Sequence, residues 1–284
     1  MSDGVENHDQ AALWESWASS WIAADAWTVA VGGAFGAAAI EALDPTPGTR
    51  VLDVGCGSGP TTIELARRVA PGGSVLGIDI APSMIEAARE RARGEGVDGA
   101  EFRVADAQAH DLGEAAFDAA TSRFGVMFFE DPVVAFANVR RSLVEGGRLA
   151  FACWQDLFAN EWMFVPGAAA LDAAGIAPSL PGPGDPGPFS MCDEAVVAEV
   201  LTAAGFADVA VSPMATTVEI PEAQLSEAAE ASCAVGVSRQ VLDATPDPEG
   251  QEAIRAAVRE ALASRVEDGR LRLAAAAHIV TART

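Results

Sequence analysis

The stretch Val51-Leu52-Asp53-Val54-Gly55-Cys56-Gly57-Ser58-Gly59-Pro60-Thr61-Thr62 decides how this chain folds. Its opening, an apolar run interrupted by Asp53, reads as a buried parallel strand. Three glycines at every second position then break the strand. Apolar residues at helical spacing follow at Ile63, Ala66, Val69 and Ala70. Strand, glycine turn and helix together open a nucleotide-binding βαβ unit. Glycine suits that turn because the backbone must bend tightly and let a ligand approach with no Cβ in the way. The next strand, Ser74-Val75-Leu76-Gly77-Ile78, ends in Asp79, twenty residues after Gly59. A carboxylate placed there can accept both hydroxyls of a ribose.

The glycine spacing separates two classes of ligand. A dinucleotide fingerprint needs G-x-G-x-x-G. Begun at Gly55 it ends on Pro60, and begun at Gly57 it ends on Thr62. The pattern that fits is [DE]-x-G-x-G-x-G, with Asp53 leading. This resembles motif I of the class I S-adenosylmethionine-dependent methyltransferases. The resemblance continues through Gly77-Ile78-Asp79-Ile80-Ala81-Pro82-Ser83-Met84, Ala105-Asp106-Ala107-Gln108, Phe117-Asp118 and Leu143-Val144-Glu145-Gly146-Gly147-Arg148-Leu149. It spans residues 45–153. Within the superfamily the chain looks most like the ubiquinone/menaquinone C-methyltransferase-like group of small-molecule enzymes.

The resemblance implies an α/β fold with a doubly wound, seven-stranded, mostly parallel sheet. Its last strand is antiparallel and lies between strands 5 and 6. It implies S-adenosylmethionine as cofactor and S-adenosylhomocysteine as product. Asp53 then faces the methionyl amine, directly or through water. Gly55, Gly57 and Gly59 let the backbone approach the methionyl and ribose region. Asp79 takes the ribose hydroxyls, with Ile80 and Met84 beside the adenine. Asp106, Ala107 and Gln108 border the adenine edge, and Ser122 and Arg123 border the methionyl end.

Composition narrows the partners. The net charge is −23, every cation is arginine, and there is no lysine. Such a surface repels phosphate backbones, which argues against nucleic acid. The absence of lysine also excludes a Schiff-base lysine and a P-loop lysine. The four cysteines (Cys56, Cys153, Cys192, Cys233) and three histidines (His8, His110, His278) are too scattered for a metal site. The acidic start, Met1-Ser2-Asp3-Gly4-Val5-Glu6, does not read as a secretory signal. The apolar stretch Trp27–Ile40 is too short and glycine-laden to span a bilayer. A cytoplasmic, membrane-free protein is the expectation, and its oligomeric state is left open.

The 284 residues read as a single domain. Residues 9–43 form an N-terminal helical cap. Trp14, Trp17 and Trp21 share one helix face there, as core packing or as a lid over the cofactor. From Thr49, strands near 50–54, 74–78, 100–104, 117–121 and 148–153 alternate with helices near 60–70, 83–93 and 132–144. Asp131, Pro132 and Gly146-Gly147 punctuate the last of these helices. Residues 155–192, with a Pro/Gly run over 178–188, predict a long loop covering the site. Residues 193–284 complete the sheet: a helix at 193–204, a strand at 206–212, helices near 221–236 and 249–264, and a strand at 273–281.

For chemistry, His110 is the weak candidate for a base. Trp17, Phe124, Met127, Trp154 and Trp162 are the candidates for an acceptor pocket. The reaction expected is in-line transfer of the sulfonium methyl to a small, largely apolar acceptor, with a secondary metabolite as a fitting substrate. The alternative is a protein that binds the cofactor and catalyses a non-methylating cyclisation or rearrangement.

Overall fold

Strand β1 (Arg50–Val54) is buried from Val51 onward and lies in the interior of the sheet, between two partner strands. The computed structural model describes residues 7–177 and 185–284. β1 pairs in parallel with β2 (Ser74–Asp79) on one side and β4 (Phe117–Arg123) on the other. β3 (Ala100–Val104) extends the sheet beyond β2, and β5 (Leu143–Trp154) extends it beyond β4, both in parallel. β8 (Arg270–Arg283) then runs antiparallel between β5 and β6 (Ala207–Pro221). The order is β3-β2-β1-β4-β5-β8-β6. The two-residue β7 (Val266–Glu267) pairs with β8 as an eighth strand beyond the seven expected.

Period-two alternation sends neighbouring residues of β1 to opposite faces. Val51, with Val75 and Ala119, packs under α3 (Pro60–Val69) against Leu65, Ala66 and Val69. Leu52 and Ala120 belong to the larger core on the opposite side, with Phe151 and with Phe136 and Val139 of α5 (Pro132–Ser142). Asp131 caps α5 by accepting the Val134 N–H at 3.0 Å, and Pro132 opens it. α4 (Pro82–Gly94) covers β2 and β3 through Ile85 and Ala88.

The N-terminal cap is two helices, α1 (His8–Ala23) and α2 (Asp25–Leu43), broken at Ala24. α2 is long and apolar enough to cross a membrane by length and composition. The expectation from Trp27–Ile40 alone understated this. Here Val31, Phe35, Ala39, Ile40 and Leu43 are buried in the sheet core.

Three expectations for the C-terminal half are corrected. Residues 155–192 are not one loop, because Glu161–Ala173 form α6 with Trp162, Val165 and Ala170 buried. Pro166 reads as a breaker in sequence, yet it lies inside this helix, whose apolar face packs into the main core. Residues 178–184 of the Pro/Gly run lie outside the described residues. β6 is longer than 206–212 and includes Pro213. As the end strand it leaves one edge without a partner strand, where proline is tolerated. The helix expected over 221–236 is instead α8 (Leu225–Ala234), followed after Val235 by α9 (Gly236–Asp243). Gly236 takes φ +63° at that break. α7 (Glu194–Ala203) and α10 (Pro248–Ala263) complete the fold.

Candidate functional site

The carboxyl ends of β1, β2 and β4 open into a cavity of about 460 Å³, within the range of small-molecule sites. Open α/β sheets place ligands at these strand ends. The glycine turn forms its floor. Gly57 has φ +54°, and a Cβ built on it would meet nothing within 4 Å. That backbone therefore faces open space. Its N–H donates to Asp79 Oδ2 at 2.9 Å, and the Ala81 N–H donates to Asp79 Oδ1 at 3.0 Å. Burial raises the Asp79 carboxyl above its ordinary range against the lowering effect of these amides.

Gly55 is constrained differently. With φ +67° it lies against Gly125, whose Cα would be 2.7 Å from an added Cβ. The β1 and β4 turns can pack this closely only through paired glycines. Directly before Gly125, Phe124 holds φ +66°, a left-handed backbone that is uncommon for a large residue. Its ring stacks on Trp154 with centroids 3.7 Å apart and planes 8° apart. Trp154 in turn meets Trp162 of α6 at 5.1 Å. A second aromatic cluster joins Trp14 to Trp17, Trp21 and Phe128. All six tryptophans of the chain, Trp14, Trp17, Trp21, Trp27, Trp154 and Trp162, line the cavity.

Of the residues singled out for cofactor, Gly55, Gly57, Asp79, Ile80, Met84, Asp106, Ala107 and Arg123 line this cavity. So do Trp17, Phe124, Met127, Trp154 and Trp162. Asp53, Gly59, Gln108, Ser122 and His110 lie outside the wall. Asp53 is fully buried beneath it, where Oδ2 accepts the Thr62 hydroxyl at 2.6 Å and Oδ1 has no partner. Burial pushes its carboxyl up to about 7 against the lowering effects of Thr62 and Arg123. Gly59 caps α3, and a Cβ there would come within 2.9 Å of Ala88 Cβ. Its role is packing of helix on helix.

Gln108 Oε1 accepts the Asp131 N–H at 2.9 Å, and Ser122 Oγ accepts the Gly125 N–H at 3.1 Å. Both are loop braces. His110 contributes its backbone, donating to Asp106 O and accepting from Asn138 Nδ2, each at 2.8 Å.

Three participants escaped sequence reading. Asp25, in the first turn of α2, accepts Ser58 Oγ at 2.8 Å and Arg91 at 2.5 Å, clamping α2 to the glycine turn. Asn7 donates to Asp106 through its backbone N–H at 3.3 Å and its side chain at 3.4 Å. Phe189 lines the cavity from the insert, which is anchored where Ser190 Oγ and the Gly187 N–H donate to Met127 O. Each is a long-range contact with no local sequence signal. Arg123 is half-buried against α2. A Cβ on Gly36 would be 2.7 Å from Arg123 Cδ, so Gly36 makes room for it. Burial lowers the guanidinium from its ordinary value, opposed by Asp53 and Asp25.

Comparison with known proteins agrees with this geometry. Residues 51–147 match a family model described as a methyltransferase domain. The chain is 39% identical over 112 residues to aklanonic acid methyltransferase DauC of Streptomyces sp. strain C5, covering 39% of this chain and 51% of that one. It is 31% identical over 177 residues to nocamycin O-methyltransferase of Saccharothrix syringae, covering 60% and 63%. The matches thus span between half and two-thirds of these relatives. Among solved structures, YcgJ from Bacillus subtilis superposes with a TM-score of 0.56 at 16% identity, over 89% of this chain and 98% of that one. That likeness concerns the fold. Residues 51–147, which hold the glycine turn and the ends of β1, β2 and β4, match a methyltransferase domain, and the sheet order around them is that of the solved structure to which the chain is similar.

Proposed function

We propose that this protein transfers a methyl group from S-adenosylmethionine to a small, largely apolar acceptor. The observation that carries the reading is a single cavity. It joins Gly57, Asp79 and Asp106 to the aromatic residues at the ends of β4 and β5 and on α6. The cofactor supplies a methyl already activated on a sulfonium.

The chain's own groups bind and position. Asp79 holds the ribose hydroxyls, and Gly55 and Gly57 admit the methionyl and ribose region. Ile80 and Met84 lie along the adenine, with Asp106 and the Ala107 N–H at its edge. Arg123 pairs with the methionyl carboxylate. Asp53 acts from beneath, as a buried carboxylate beside Arg123 and Thr62. The fit rests on the open face of Gly57. Trp14, Trp17, Phe124, Met127, Trp154 and Trp162 exclude water and hold the acceptor by shape. Positioning two reactants in a dry site is the main catalytic contribution such a protein makes.

In this reading the whole chain works as one domain, with α1, α6 and residues 186–189 as cover. Calorimetry is the test. S-adenosylmethionine or S-adenosylhomocysteine is expected to bind the purified protein and NAD is not. Binding of NAD alone would reject the assignment.

A further inference from the structure

We propose that Asp25, at the start of α2, receives the methionyl ammonium of the cofactor in place of Asp53, and that with Arg123 it reads the amino-acid end as a zwitterion. The proposal rests on the methyl-transfer reading above.

Depth separates the two aspartates. Asp53 is fully buried and does not line the cavity. One of its oxygens is taken by the Thr62 hydroxyl at 2.6 Å. Burial pushes its carboxyl up to about 7, which leaves it only partly ionised at neutral pH. Asp25 belongs to the wall itself, with its side chain 23% exposed.

The Asp25 carboxylate is held from two sides. Oδ1 accepts the Ser58 hydroxyl at 2.8 Å, and Ser58 stands between Gly57 and Gly59 in the glycine turn. Oδ2 accepts Arg91 of α4 at 2.5 Å. Each carboxylate oxygen offers two lone pairs, so each keeps one for a further donor. The ion pair with Arg91 also spares Asp25 the cost of an uncompensated charge before an ammonium arrives. These bonds fix an anion beside the turn on which the cofactor is proposed to rest.

Arg123 completes the pair. It lines the same cavity, and Asp25 is near enough to oppose the effect of burial on its guanidinium. The amino-acid end of the cofactor carries a carboxylate and an ammonium. Arg123 attracts the first and repels the second, and Asp25 does the reverse. Together they set which way round that end lies.

Calorimetry with two ligands tests the assignment: S-adenosylhomocysteine, and its analogue with hydrogen in place of the amino group. The native protein is expected to bind the parent at least about tenfold more tightly, the equivalent of one charge-assisted hydrogen bond. Asp25→Asn keeps the shape and an oxygen for Ser58. It is expected to bring the two ligands within about twofold of each other by weakening the parent alone. Asp53→Asn is expected to keep the preference. Arg91→Gln removes a competing cation and is expected to widen it, an independent measurement should Asp25→Asn fail to fold.

A native protein indifferent to the amino group would overturn the proposal. So would a preference that survives Asp25→Asn or vanishes in Asp53→Asn, and so would an unchanged or narrower preference in Arg91→Gln. Equal weakening of both ligands in Asp25→Asn would reduce Asp25 to a clamp between helix and turn, against the role proposed. A native protein that binds neither ligand would instead reject the methyl-transfer reading, and the proposal with it.

Discussion

Asp79, at the end of β2, accepts the Gly57 N–H at 2.9 Å across 22 residues of chain. The carboxylate proposed to hold the ribose therefore also holds the turn on which the cofactor rests. Asp79→Ala is expected to weaken S-adenosylmethionine binding by about 1.5–3 kcal/mol for each charge-assisted hydrogen bond lost. Asp79→Asn keeps an acceptor for Gly57 and is expected to lose less. Calorimetry on both folded variants measures the difference. Unchanged affinity in Asp79→Ala would remove this carboxylate from the site.

The two glycines of the turn are expected to fail in different ways. Gly55→Ala drives a Cβ to 2.7 Å from Gly125 Cα, so backbone must move and stability must fall. Gly57→Val meets no protein atom within 4 Å of its Cβ. Its cost to folding is mainly that of a left-handed backbone, about 1–2 kcal/mol, while its side chain projects into the cavity. Denaturation midpoints are expected to fall more for Gly55→Ala, and cofactor affinity more for Gly57→Val relative to the stability each variant keeps.

Asp53 makes ligand-free stability depend on pH. Unfolded, its carboxyl titrates near ~3.9, and in the fold burial pushes it up to about 7. Between those values the folded chain holds a proton that the unfolded chain has released. Each rise in pH across that window therefore destabilises the fold, by at most about 1.4 kcal/mol per unit. Asp79 shifts in the same direction, so the comparison must isolate one group. Urea unfolding of the native protein and of Asp53→Asn from acid to neutral pH is expected to show the steeper decline in the native protein. Parallel curves would contradict it.

His110 offers a clean negative. Its backbone braces Asp106 and Asn138, and its ring does not line the cavity. His110→Gln is expected to keep methyl-transfer rates within about twofold, well short of the 10²-fold or greater loss that removal of a general base brings. A loss of that larger size would return the imidazole to the mechanism.

The parts legible in the sequence are those written locally. The Gly55–Gly59 spacing, the Asp79 strand end and the Asp131–Pro132 helix start are short-range patterns with one physical solution, and β1 to β5 follow from them. Asp25 and Asn7 were not legible, because their partners lie 33 and 99 residues away. α6 was missed because the Pro/Gly run over 178–188 led all of 155–192 to be read as loop, whereas burial of Trp162, Val165 and Ala170 holds Glu161–Ala173 helical despite Pro166. The last strand, expected over 273–281, forms within β8 although its alanine run has little strand preference of its own, because it pairs with β5 on one side and β6 on the other. Asp53 lies on the expected strand, and it is fully buried and does not line the cavity. A strand's alternation says which face a residue takes, not whether a helix hydroxyl such as that of Thr62 already covers it.

Because all six tryptophans surround one cavity and the chain contains no tyrosine, its ultraviolet emission is a local signal. A ligand entering the cavity perturbs every strong fluorophore in the molecule, with no constant background from elsewhere. The same property biases a melting curve read by emission. Loosening of α1 from the cavity would register as a large spectral change while the sheet stayed intact. Far-ultraviolet circular dichroism, which weighs the whole backbone, is the necessary companion, and a gap between the two transitions would measure how independently the cover opens.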